Sequence, residues 1–243
     1  MTSKLAVLCA LLAGSLGAAD RTILAIGAHA GDMEISAGAV LAKHARAGDR
    51  VVLYHLTLGE GGNPKMSREA YGEQKRREAL AAGKALGAEV LFGPYEDAAI
   101  PRDDRSAKVV AEVIAKVKPT YVITHWKNSI HRDHALTYTI VDDAVLLASV
   151  AGVRGLRGIY YAENWEDPDG FQPYVYLDVT SSFDDWKKAV TQYEFIRGGI
   201  SSFAYLEYYE ALARVRGAQA GRKYAVAFDI GPLGKKRVLD SLP

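Results

Sequence analysis

The chain has 243 residues, 49% of them hydrophobic and 24% charged, with 30 Lys and Arg against 29 Asp and Glu. That length and apolar content suit a single domain with a substantial core. The near-balance of charge, without any block of one sign, leaves no electrostatic case for a nucleic-acid partner or an anionic membrane surface.

The opening segment, MTSKLAVLCALLAGSLGAAD, carries one early positive charge (Lys4), an apolar run from Leu5 to Leu12, and small residues up to Ala19. This is the build of a secretory signal peptide, with Gly17 and Ala19 at the −3 and −1 positions before Asp20. Residues 1–19 are therefore expected to be a leader and 20–243 the working domain, secreted or periplasmic. The apolar run falls short of the roughly 18 residues that a membrane span needs. Cleavage after Ala19 would also remove Cys9, the sole cysteine, leaving a mature chain that depends on its core rather than on disulfides.

From Thr22 onward, short apolar runs alternate with helical patterns. TILAIGA reads as a strand, and SAGAVLAKHARAG as a helix stopped at Gly48. DRVVLYHLTLGEGG is a strand running into a glycine-rich loop, and SREAYGEQKRREALAAGKALG is a long helix ending at Gly87. AEVLFG, TYVITHW, RGIYYAEN and YVYLDVT read as further strands. DRSAKVVAEVIAKVKP, HALTYTIVDDAVLLASVAG, SFDDWKKAVTQYEFIRG and FAYLEYYEALARVRG read as helices. Strands that are apolar throughout and alternate with helices predict an α/β, Rossmann-like, doubly wound and mostly parallel sheet flanked by helices, in a single domain. Such sheets bind ligands beyond the carboxyl ends of their strands.

The titratable residues fall at that edge. His29 and Asp32 follow the first strand, the loop LGEGGN with Glu60 follows the second, EDAAIPRDD follows the third, and HWKNSIHRDH follows the fourth. A His-x-x-Asp turn can aim an imidazole and a carboxylate at one point. A third ligand from a distant loop would complete a two-His, one-carboxylate set suited to catalytic zinc. Asp133, between His131 and His134, can orient one imidazole through its ring nitrogen. A histidine after a strand is also commonly just a hydrogen-bonded loop residue, and spacing by itself leaves both readings open. His44 and His55 lie inside a helix and a strand pattern and are read as structural. No G-x-G-x-x-G follows the first strand, which argues against a dinucleotide-dependent oxidoreductase.

The stretches AHAGDMEISAG and HRDH resemble the paired motifs A-H-[PA]-D-D-x-E and H-P-D-H of the PIG-L/LmbE-like N-acetylglucosaminyl deacetylases, and RREALAAGKALGAEV resembles that family's R/K-x-x-E helix. The resemblance runs from about Thr22 to Phe228. It implies a zinc ion, with another divalent metal as an alternative, held by His29, Asp32 and His134. It further implies His131 as acid and oxyanion stabiliser, Asp133 as its neighbour in the second motif, and Lys75 as a substrate contact where the family often has arginine. The implied substrate is an N-acetylated sugar or a similar small amide.

Two positions depart from the pattern. Gly31 stands where the family has its general-base aspartate, and Val226 stands where it has a C-terminal glutamate. Glu34, Glu60 and His131 are the candidates to replace the base, with Glu60 and His131 ahead of Glu34. The alternative expectation is a non-catalytic metal-bound carbohydrate-binding protein, a pseudoenzyme.

Overall fold

The computed structural model describes residues 21–167, 169–231 and 234–235. The leader expected at residues 1–19 lies outside the described residues, as does the end of the domain.

The first strand, β1 (Thr22–His29), is buried along almost its whole length, and its alternate side chains serve both layers of the core. Ile23 and Ala25 pack on one face with Met33, Val40, Trp186 and Phe228. Leu24 and Ile26 pack on the other with Val110, Ile114, Val141 and Ala144. A strand buried on both faces has no polar side to show, which is why its sequence is a continuous apolar run.

The chain continues through α1 (Asp32–Arg46), β2 (Arg50–Thr57), α2 (Arg68–Leu86), β3 (Glu89–Phe92), α3 (Asp104–Val117), β4 (Tyr121–His125) and α4 (Arg132–Val150). It closes with β5 (Gly158–Ala162), β6 (Val175–Asp178), α5 (Phe183–Val190), α6 (Tyr205–Gln219) and β7 (Ala225–Ile230). Gly87 ends α2 with φ 73, a left-handed conformation that glycine adopts without steric cost.

The sheet order is β3-β2-β1-β4-β5-β7-β6. Strands β1 to β5 pair in parallel, and β7 runs antiparallel to both β5 and β6. The chain runs outward from β1 in one direction and returns through β4 in the other, so a topological switch point lies between β1 and β4. The α/β, mostly parallel, helix-flanked single domain is the architecture expected from the sequence. Strand β7 was not anticipated. Its segment AVAFDI, six residues long, runs antiparallel between β5 and β6. Two helix bounds also differ. α1 begins at Asp32, four residues before the expected start at Ser36, and α5 stops at Val190 where a longer helix was expected.

Candidate metal centre and its cavity

At the switch point, three atoms converge. His29 Nδ1 lies 3.3 Å from Asp32 Oδ2, His134 Nε2 lies 3.4 Å from the same oxygen, and the two nitrogens are 3.3 Å apart. Four ligands at 2.0–2.1 Å around a tetrahedral zinc stand about 3.3 Å from one another, so the triangle has the edge length of such a site with one corner open. The donor set, two imidazoles and a carboxylate, has the composition of catalytic zinc centres. These residues fit a zinc ion, and the corner left over faces a cavity of about 280 Å³.

The local chain dictates the convergence. His29 is the last residue of β1, and the backbone reverses through Ala30 and Gly31 before α1 starts at Asp32. Gly31 has φ 111, in the left-handed region where a side chain is strained. That turn folds Asp32 back so that its Oδ2 accepts the His29 backbone N–H at 2.7 Å. His134 comes from the first turn of α4, after β4.

The second nitrogen of each of these two histidines lies beside a carboxylate. His29 Nε2 lies 3.1 Å from Asp97 Oδ1 and 3.5 Å from Asp133 Oδ2, and His134 Nδ1 lies 3.1 Å from Glu166 Oε2. These contacts are at ion-pair distance without the alignment of a hydrogen bond, so the carboxylates act on the two rings through charge. Asp97 is itself held by the Gly61 N–H at 3.0 Å, and Asp133 by the Ala98 N–H at 3.0 Å. Burial opposes the charge on Asp97, but His29 outweighs it and brings its pKa down to about 2. Burial likewise opposes charge on His29 and Asp32, yet the carboxylates around His29 raise its pKa and the two histidines hold Asp32 well below the usual carboxylate range. Without a cation the cluster holds protons instead, which a metal would displace.

Two further histidines approach the centre with a ring nitrogen already engaged. His125 stacks on His134 at 4.0 Å, and its Nε2 lies between the Ala28 N–H at 3.0 Å and Asp32 Oδ2 at 3.1 Å. Burial lowers its pKa to about 4, so it stays neutral. His131 caps α4, its Nδ1 accepting the Asp133 N–H at 3.2 Å, and its ring stacks on His134 at 4.4 Å. The proton of a neutral His131 therefore sits on Nε2, which makes this nitrogen a donor and not a ligand.

The base position at residue 31 is filled from outside. A Cβ there would stand 3.0 Å from Phe195 Cζ and 3.6 Å from Lys75 Nζ. Lys75, on α2, is only 4% exposed. Its amine donates to the Ala30 carbonyl and lies over the rings of Phe195 (4.2 Å) and Tyr193 (4.8 Å). Burial lowers its pKa to about 8 despite the nearby charges of Asp32, Glu34, Glu78 and Asp97. The remaining wall of the cavity is aromatic, formed by Tyr71, Trp165, Phe195, Tyr205 and Tyr209.

Of the seven site residues expected from sequence, His29, Asp32, His131, His134 and Lys75 line one cavity, and Asp133 stands behind His29. Glu60 does not join them. Its Oε1 accepts from Arg68 Nη2 and from the Asp97 N–H, both at 2.8 Å, so as a candidate base it must be set aside. Glu34 is also unavailable: it is fully buried, accepts the Tyr193 hydroxyl at 2.6 Å and faces His55 at 3.3 Å. Asp97 and Glu166 went unrecognised. Asp97 lay within EDAAIPRDD, where no single residue stood out. Glu166 follows β5, and extending the search from four strand ends to five would have reached it.

A profile of the GlcNAc-PI de-N-acetylase (PIG-L) family matches residues 24–145. The chain is 28% identical over 222 residues to 4-oxalmesaconate hydratase of Pseudomonas putida, covering 85% of this chain and 84% of the relative. It is 30% identical over 174 residues to 1D-myo-inositol 2-acetamido-2-deoxy-alpha-D-glucopyranoside deacetylase of Kineococcus radiotolerans, where the match spans 57% of this chain and about half (48%) of the relative. In fold it is similar to the crystal structure of 4-carboxy-2-hydroxymuconate hydratase of Pseudomonas putida, with a TM-score of 0.80 and 24% identity over 92% of this chain and all (100%) of the other.

Proposed function

The chain belongs to the PIG-L family, and from that premise we propose that it is a zinc-dependent hydrolase that removes the acetyl group from an N-acetylated sugar. The observation that carries this reading is the triangle of His29, Asp32 and His134 opening onto an aromatic cavity. A zinc ion at this point supplies Lewis acidity and a water of lowered pKa.

The chain's own residues do the rest. Asp97, Asp133 and Glu166 act on the ligand rings through charge. His131, neutral with its proton on Nε2, donates to the oxygen on which negative charge develops. The faces of Trp165 and Tyr205 offer apolar surfaces for a sugar ring. Phe195 closes the space beside Gly31 and keeps bulk water from it.

Hydration of an unsaturated oxo acid is the second reading. It is favoured by the match along most of the hydratase relative and by the lack of a carboxylate at Gly31. The faces of Trp165 and Tyr205 favour the sugar, and charge is near balance once a divalent cation joins Lys75 against Asp32, Asp97 and Glu166. The working compartment is proposed to lie outside the cytoplasm, on the strength of the leader expected from the sequence of residues 1–19. A mature chain beginning at Asp20 would support this, and an intact Met1 in a cytoplasmic fraction would overturn it. No described helix is long and apolar enough to cross a membrane.

The deciding experiment pairs metal analysis with two assays on the zinc-loaded protein: amine release from N-acetylated sugars, and loss of conjugated absorbance from unsaturated oxo acids. Amine release upholds the first reading, and loss of absorbance replaces it with the second. Zinc binding with neither activity leaves the non-catalytic carbohydrate-binding protein.

A further inference from the structure

We propose that Lys75 is the proton acceptor of this site, taking the role that the chain cannot place at residue 31. The inference rests on the hydrolase reading above and names the group that serves it. Three observations carry it. The amine lies 3.6 Å from where a Cβ at residue 31 would stand, so it fills the place toward which a longer side chain would extend. It lines the same cavity as His29, Asp32, His131 and His134. The other candidates are committed elsewhere: Glu60 to Arg68 and Asp97, Glu34 to Tyr193, and the His131 Nδ1 lone pair to the Asp133 N–H.

The surroundings suit an amine that changes charge during a reaction. One donor is fixed by the Ala30 carbonyl, and the rings of Phe195 and Tyr193 shield the nitrogen from water. Burial favours the neutral amine, while Asp32 and Glu34 from α1, Glu78 from α2 and Asp97 from the loop after β3 favour the ammonium, leaving its pKa near 8. Lysine can exchange a proton under these conditions, whereas arginine cannot. A glycine at 31 and a lysine at 75 are then one device: the first leaves room for the second.

In the step, a water O–H proton passes to the Nζ lone pair as the water oxygen bonds to the acetyl carbon. The carbon–nitrogen bond then breaks, its electron pair stays on the sugar nitrogen, and the Lys75 ammonium returns the proton there. Acetic acid and a free amine leave, and nothing is oxidised or reduced.

The test compares Lys75→Arg, Lys75→Met and Lys75→Ala in zinc-loaded protein. Turnover on an N-acetyl sugar cleaved by the wild type should fall about 10²- to 10⁴-fold in all three, with one zinc per chain retained. Added alkylamines should restore part of the turnover of Lys75→Ala, in an order that follows amine basicity. Independently of activity, the Nζ resonance of Lys75, assigned by its loss in Lys75→Arg, should titrate below those of the other lysines in the metal-free protein. Wild-type turnover in Lys75→Arg would overturn the proposal and leave Lys75 as a fixed positive charge. If Lys75→Ala and Lys75→Met fail to fold, Lys75→Arg and the resonance still decide. A wild type that cleaves no N-acetyl sugar sinks the hydrolase reading instead, whereas an Nζ that titrates with the surface lysines sinks this one.

Discussion

His29 and His134 bring one ring nitrogen each to within 3.3 Å of the other, and the opposite nitrogen of each ring lies beside a carboxylate, Asp97 and Glu166 respectively. Two loops distant in sequence thus place a carboxylate beside each of the two histidines. Asp97→Asn and Glu166→Gln remove that charge without touching a ligand. Each should weaken zinc binding about 10- to 100-fold in competition with a chelator, while far-UV dichroism stays that of the wild type. Unchanged affinity in both would show that β1 and α4 hold the rings unaided.

Restoring the family's aspartate at residue 31 should damage the protein rather than improve it. The position has φ 111, and a Cβ there meets the Phe195 ring at 3.0 Å. A left-handed non-glycine residue costs about 1–3 kcal/mol, and the ring must also move. Gly31→Asp should lower stability by at least that amount in urea melts and bring no gain in turnover. A faster, equally stable Gly31→Asp enzyme would show that Phe195 and Lys75 yield easily.

The contrast between Gly31 and Asp97 marks where sequence reading reached and where it stopped. Both motif stretches sit at strand ends, and strand ends are visible because β1 and β4 must be apolar throughout to be buried on both faces. His29, Asp32, His131 and His134 could therefore be placed at one edge before any coordinates. The absence of a carboxylate at Gly31 was equally legible, but what fills its place was not. Phe195 lies in a turn after α5, 164 positions along the chain, and only packing brings its ring to Gly31. Glu60 misled for a related reason: its loop was placed correctly, yet the side chain's partners, Arg68 and the Asp97 N–H, depend on three segments at once.

The aromatic wall makes a separable contribution. Trp165 stacks on Phe203 at 4.3 Å and 24°, and its backbone N–H donates to the Tyr209 hydroxyl at 3.2 Å, so the ring is held at the cavity's edge. Aromatic contacts of this kind are worth about 0.5–1.5 kcal/mol beyond burial. Trp165→Ala should raise KM for an N-acetyl sugar roughly 3- to 10-fold and change kcat little, because a stacking face holds the ground and transition states alike. A fall in kcat at constant KM would place the sugar elsewhere.

Lys75 also predicts how stability changes with pH. Its pKa falls from the ordinary 10.5 to about 8 on folding, chiefly through burial. Between those values the unfolded chain binds the proton that the folded chain has released, so stability rises with pH across that window. Above about 10.5 the penalty for burying a charged amine has vanished; as pH falls through 8 it is paid in full. The span of roughly 2.5 units corresponds to about 3 kcal/mol. Buried tyrosines such as Tyr193, whose pKa is raised by burial, act in the opposite sense above pH 10, so the comparison belongs between pH 7 and 10. In metal-free protein, urea melts should show wild-type stability gaining on Lys75→Met across that range, since methionine fills the same space without a proton to lose. Parallel curves for the two proteins would mean that Lys75 enters the folded state with its ordinary pKa.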